Sequence, residues 1–209
     1  MRLPITPATT PLRGLRDEVR QHYRGGRVLI AVDGIDGAGK TVFADGLAEV
    51  FAEGGSTVFR SSIDGFHRPR SERYARGRRD PLGFYLDSYD YARFEAEVLD
   101  PFRRSAASAV LVVDGIFLHR DELVRNWDFS VFLRVTFDMA YARMSKRDGC
   151  PALPEHPANR RYLEGQLLYF AACQPWTCAS MVIDNNDLAA PSVSSHGTVR
   201  ETRHRDARP

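Results

Sequence analysis

Gly34-Ile35-Asp36-Gly37-Ala38-Gly39-Lys40-Thr41 fits the spacing G-x-x-x-x-G-K-[ST] without a mismatch. That spacing suits the holding of a polyphosphate. Glycines permit the backbone angles that turn successive N–H groups inward, and their missing side chains let phosphates come close. A helix starting here would offer its positive N-terminal end to the same anion. Lys40 would reach the β- and γ-phosphates, and the Thr41 hydroxyl would hold Mg²⁺. Lys40 is one of two lysines, with Lys146, in a chain of 27 arginines. The expected donor is ATP or GTP with Mg²⁺. The plainer alternative is a glycine-rich turn with a solvated lysine.

Two carboxylates close apolar runs. Asp114 ends "VLVVD" and could hold Mg²⁺ directly or through water, or simply cap the turn before Gly115. Asp64 ends "TVFRSSID" and precedes "GFHR". Beside a transferable phosphate it could orient a hydroxyl and take its proton, or position a water for hydrolysis. It could also be a turn-forming Asp-Gly. Arginines gather in "HRPRSERYARGRRD" and again around "DGCPALPEHPAN", where Arg143, Lys146, Arg147, Arg160 and Arg161 flank a Pro/Gly-rich segment. The second arrangement suits a lid over about 143–161, whose cations close on phosphates. His67 and His119 lack metal-ligand spacing and read as surface or pocket hydrogen bonders.

These residues need strand ends to carry them. "RVLIAVD" reads as a buried strand and "KTVFADGLAEVFAE" as a helix with Val42, Phe43, Leu47, Val50 and Phe51 at helical spacing, stopped by Gly54-Gly55. "STVFRSSID", "SAVLVVDGIFL", "DFSVFLRV" and "SMVIDN" read as further strands. "LRGLRDEVRQHY", "YARFEAEVLDPF" (closed by Pro101), "DMAYARMSKRDG" and "RRYLEGQLLYFAAC" read as helices. The alternation predicts an α/β fold, a doubly wound parallel sheet flanked by helices. The expected division is a segment 1–24 with a surface helix, a domain over 25–188, and a disordered tail over 189–209.

The formal charge of +2 is close to balanced and argues neither for a nucleic-acid partner nor for a membrane surface, and neither is expected. No apolar run approaches the roughly 20 residues of a membrane helix. The N-terminus lacks the apolar core of a secretory signal. Cys150, Cys173 and Cys178 suit reduced thiols in a cytoplasm.

In order, "GIDGAGKT", "SSIDGFHRPR", "GFYLDSYDY", "LVVDGIFLHR", "ARMSKRDG" and "NRRYLEGQ" resemble the uridine kinase and phosphoribulokinase family of P-loop kinases, over about residues 25–187. The resemblance implies transfer of a γ-phosphoryl group to a nucleoside-like or other small-molecule hydroxyl. It implies that Asp64 is the base, Asp114 the metal-side acid, and Arg147 and Arg161 lid arginines, with Arg143 near the nucleotide. The acceptor-side residues would be Asp64, Phe66, His67, Asp87 and His119, with Asp80 a rival for sugar contact. Homo-oligomerisation is left open. Uridine kinases usually carry a base-covering β-hairpin after the "DSYD"-like segment. Here only 19 residues, Tyr91 to Ala109, separate Asp90 from Val110. The alternatives are therefore a pantothenate- or sugar-type kinase, an NTPase whose acceptor is water, and a nucleotide-binding pseudokinase.

Overall fold

The computed structural model describes residues 3–197. A six-stranded sheet is ordered β2-β3-β1-β4-β5-β6. Its strands are β1 (Arg27–Gly34), β2 (Val58–Ser62), β3 (Ala109–Gly115), β4 (Phe129–Arg134), β5 (Met181–Asp184) and β6 (Ser192–His196). The first five pair in parallel, and β6 runs antiparallel to β5. This is the predicted α/β sheet.

Side-chain alternation along β1 explains the two layers. Val28, Ile30 and Val32 face a core with Leu47 and Phe51 of α2 (Lys40–Glu53) and Leu15 of α1 (Thr10–His22). Leu29 and Ala31 face the opposite core, with Phe94, Phe117 and Tyr169. A strand buried on both sides reads as one apolar run because both pleat faces must leave water. Each large apolar side chain so buried contributes roughly 1.5–3 kcal/mol. Val42, placed on the apolar face of α2 by its spacing, is instead 73% exposed.

The remaining helices are α3 (Arg70–Arg73), α4 (Pro81–Asp87), α5 (Tyr91–Phe94), α6 (Asp100–Arg104), α7 (Phe137–Asp148), α8 (Arg160–Cys173) and α9 (Pro175–Cys178). Pro101 does not close the helix that starts at Tyr91. A π-helical stretch, Glu95–Leu99, joins α5 to α6, and Pro101 falls in the first turn of α6. Proline is tolerated in the first turn of a helical segment. This helix and a short turn fill the interval up to β3, as the count of residues required. The expected tail is also corrected in part. Ser192–His196 forms β6, bonded along the edge of β5 because that edge still offered free backbone groups. The rest of the expected tail, 198–209, lies outside the described residues. Among the described residues no helix is long and apolar enough to cross a membrane.

Candidate active site

Strand register brings the chemistry together. Asp114 of β3 lies level with Val32 of β1 on one side and Ser62 of β2 on the other. The phosphate loop leaves β1 two residues after Val32, and Asp64 stands two residues after Ser62. Three carboxyl ends therefore open at one height, where ligands bind in open α/β sheets.

The loop is built by close approach. Gly37 has φ 75°, and a Cβ there would lie 2.5 Å from the Ala140 carbonyl oxygen. Gly39 has φ 88°, and a Cβ there would meet Leu188 Cδ2 at 2.9 Å. Backbone blocks a side chain at Gly37, and at Gly39 the left-handed φ itself disfavours one. Lys40 Nζ donates to the Ile35 carbonyl at 2.8 Å, so its ammonium already spans the loop. The Ala38 carbonyl accepts from Asn185 Nδ2 at 2.7 Å. The Asp36 N–H donates to Gln166 Oε1 of α8 at 2.8 Å. Arg143 donates to the carbonyls of Gly37, Asn185 and Asn186 at 3.3, 2.9 and 2.7 Å. It braces the loop from behind, and burial lowers its pKa.

Thr41 Oγ1 donates to Asp114 Oδ2 at 2.8 Å. The other carboxylate oxygen, Oδ1, accepts from Arg60 Nη2 at 3.0 Å. Among the described residues no group of three or more His, Cys, Asp or Glu gathers to hold a metal alone. One hydroxyl and one carboxylate at a phosphate site nonetheless fit Mg²⁺, which binds through few protein oxygens together with phosphates and water.

Asp64 is exposed above the sheet end and held from two sides. Tyr89 OH donates to Asp64 Oδ1 at 2.8 Å, and the His67 ring Nδ1 lies 2.8 Å from the Asp64 carbonyl. Backbone bonds from Asp90 N to Phe66 O and from Arg68 N to Ser88 O clip the two segments together and put Tyr89 over Asp64. Burial, and then the Asp64 charge, push the Tyr89 phenol well above its usual range, so it stays a donor. Phe66 is buried and packs edge-on against Phe94 with ring centroids 5.0 Å apart. It shapes the floor and offers no polar contact. Asp36 links both halves of the site. Burial pushes its carboxyl up; Lys40 pulls it down, Asp64 pushes it up again, and Arg147 and His67 pull it down.

Other expected residues lie elsewhere. His119 is fully buried between Asp33 Oδ2 at 2.7 Å and Ser130 Oγ at 2.9 Å, where Tyr169 also bonds Asp33. It ties β1 to β4 inside the core and faces no acceptor. Asp80 caps α4, accepting from the Gly83 N–H at 2.6 Å. Asp87 pairs with Arg76 at 2.9 Å. Arg161 is 5% exposed and donates to the carbonyls of Arg73, Gly77 and Asp80. Its guanidinium is thus a tie for the arginine-rich segment, in place of the open lid arginine expected. Arg147 does stand open, fork-on-fork with Asp148 at 2.7 and 2.8 Å. Sequence reasoning missed Tyr89, Gln166, Asn185 and Arg60. Arg60 alone left a signal: a charged residue inside a strand, two before Ser62 and so on its face.

No family model matches the sequence. No curated protein matches it at the significance required. Solved structures do match. A candidate uridine kinase from Bacillus stearothermophilus superposes with a TM-score of 0.65 at 19% identity, over 82% of this chain and 96% of that one. A candidate fructose transport system kinase from Silicibacter sp. TM1040 gives 0.63 at 21%, over 78% and 95%. At such identities the likeness is one of fold. The chain has the fold of uridine kinase-like and related P-loop kinases.

Proposed function

We propose that this protein is a small-molecule kinase that transfers the γ-phosphoryl group of ATP or GTP to an acceptor hydroxyl. One observation carries the reading: the level ends of β1, β3 and β2 set Lys40, Thr41 and Asp114 on one side and Asp64 on the other. On binding nucleotide, Lys40 exchanges the Ile35 carbonyl for phosphate oxygens and follows the charge that develops on the transferring group. Bound Mg²⁺, held by Thr41 and Asp114, would neutralise phosphate charge. The acceptor oxygen bonds to the γ-phosphorus, the bond to the β-bridging oxygen breaks, and the hydroxyl proton passes to Asp64. Tyr89 keeps that carboxylate aimed. Arg147, released from Asp148, is the lid cation with free reach.

A nucleoside-like acceptor follows from the sequence resemblance. The helix over Tyr91–Arg104 and a short turn use up the interval before β3 in which, by the resemblance, such kinases carry a base-covering hairpin, so a base would lack that cover. The same observation favours a second reading, a nucleotide-binding regulator without transfer. Three free cysteines fit a reducing, cytoplasmic setting. The test is ADP or GDP formation with nucleosides, sugars and hydroxy acids, with Asp64→Asn as control. Acceptor-dependent turnover lost in the control supports the kinase. Tight nucleotide binding without turnover by any acceptor supports the regulator.

A further inference from the structure

Tyr141 of α7 is the largest fully buried side chain among the described residues, 1% exposed, yet its hydroxyl has no hydrogen-bond partner among them. A buried hydroxyl without a partner costs free energy that a phenylalanine of the same shape would not. Buried polar groups are as a rule paired, so an orphan calls for an acceptor that arrives with a ligand.

The packing around the phenol places that acceptor. α7 lies directly on the phosphate loop. A Cβ on Gly37 would stand 2.5 Å from the Ala140 carbonyl oxygen, and Arg143 Nη1 donates to the Gly37 carbonyl at 3.3 Å. Tyr141 stands between those two residues in the chain. Its ring centroid is 6.5 Å from that of Phe137, and Phe137 is 6.0 Å from Phe170 of α8, so α8 forms the facing wall. α8 also holds the loop, through Gln166 on the Asp36 N–H at 2.8 Å. The charges agree with the packing. Burial raises the Tyr141 phenol above its usual range, and Asp36 raises it further, ahead of Cys150, Tyr162 and Glu155. The phenol therefore keeps its proton and remains a donor at neutral pH. Asp36 in turn feels Lys40 and Asp64, the two ends of the path that a transferred group would cross.

We infer that Tyr141 contacts the γ-phosphate of bound nucleotide, its hydroxyl donating to a non-bridging oxygen of that group. The contact needs only a nucleotide on the loop; its part in transfer rests on the kinase reading. There the hydroxyl follows the same oxygen as the group moves, and the phenol keeps its proton throughout. A donor already fixed in a buried place needs no reorganisation when the charge shifts.

Tyr141→Phe removes the hydroxyl and leaves the ring. Without ligand the variant should melt no lower than wild type, because no hydrogen bond within the protein is lost. In calorimetry with Mg²⁺, affinity for ADP should be unchanged. Affinity for a non-hydrolysable ATP analogue should fall about tenfold or more, the scale of one hydrogen bond to a charged oxygen. The same loss should appear when Tyr141→Phe is added to Asp36→Asn. Four outcomes overturn the inference: an unchanged analogue affinity, an equal loss for ADP, a melting temperature clearly below wild type, or a loss that disappears in the Asp36→Asn background. The last would make Asp36 the partner of the phenol. Turnover separates the contact from the kinase reading. A selective loss of the analogue, with no acceptor consumed by wild type, keeps the contact and removes the kinase. Acceptor turnover in wild type, with the analogue bound equally by the variant, keeps the kinase and removes the contact. Wild type that binds neither nucleotide removes both.

Discussion

Arg60→Met tests how the Asp114 carboxylate, proposed to face Mg²⁺, is balanced. Asp114, its side chain 2% exposed, has two side-chain partners, Thr41 at 2.8 Å and Arg60 at 3.0 Å. Removing the arginine leaves a buried carboxylate facing one hydroxyl. Breaking a fully buried pair costs about 3–5 kcal/mol, but Arg60 is 25% exposed and water will enter its place. A loss of about 2 kcal/mol is therefore expected, between that figure and the ~1 kcal/mol of an ordinary hydrogen bond. For a chain of this size each kcal/mol lowers Tm by roughly 2–4 °C, so a fall of about 4–8 °C follows. Mg²⁺ with ATP supplies the cation that was removed, so it should raise Tm further in the variant than in wild type. Asp45→Asn is the control. Arg60 also pairs with Asp45 at 2.9 Å, but that carboxylate is 58% exposed and its loss should cost under about 1 kcal/mol. Thermal melts of the three proteins, with and without Mg²⁺ and ATP, give the answer. An unchanged Tm for Arg60→Met, or a smaller nucleotide-induced shift than in wild type, would refute the reasoning.

Lys40→Ala should greatly weaken nucleotide binding or turnover; equal affinity by calorimetry would reject its role. Asp64→Asn should cut transfer by roughly 10²-fold or more while leaving donor affinity and Tm nearly intact, because the amide oxygen still accepts from Tyr89 but takes no proton. Asp36→Asn should stabilise the protein at neutral pH and not in acid. The Asp36 carboxyl is raised by burial, so its ionised form is penalised above the usual carboxylate range, and the penalty vanishes once both folded and unfolded forms are protonated. Melts across pH showing an equal effect at both ends would count against that. Residues 148–159 should exchange amide hydrogens fast without nucleotide and slowly with it. Asn159, which donates to the Pro151 and Leu153 carbonyls at 2.8 and 2.9 Å, should speed exchange in that segment when changed to Ala.

Much of the frame was legible in local sequence. The apolar runs at Val28–Val32 and Val110–Val113 mark strands because both faces of each are buried. Gly34–Thr41 reads as a phosphate loop because its glycine spacing, positive-φ positions and lysine are all set along the chain, and Asp64 and Asp114 stand at strand ends. Non-local partners left no such mark. His119 and Arg161 share the polar character of site residues, yet the fold carries both inward, because Asp33 and Ser130 wait for one and three backbone carbonyls for the other. Pro101 reads as a helix stop, and only the π-helical stretch before it shows how the helix continues. Spacing along a chain fixes which residues share a face. It does not fix which face another element, folded from 50 or more residues away, will cover. The phosphate loop and its two carboxylates were thus set by sequence. The Tyr89 clamp on Asp64, the Arg60 counterion on Asp114 and the tie of Arg161 onto the carbonyls of the arginine-rich segment were decided by tertiary packing.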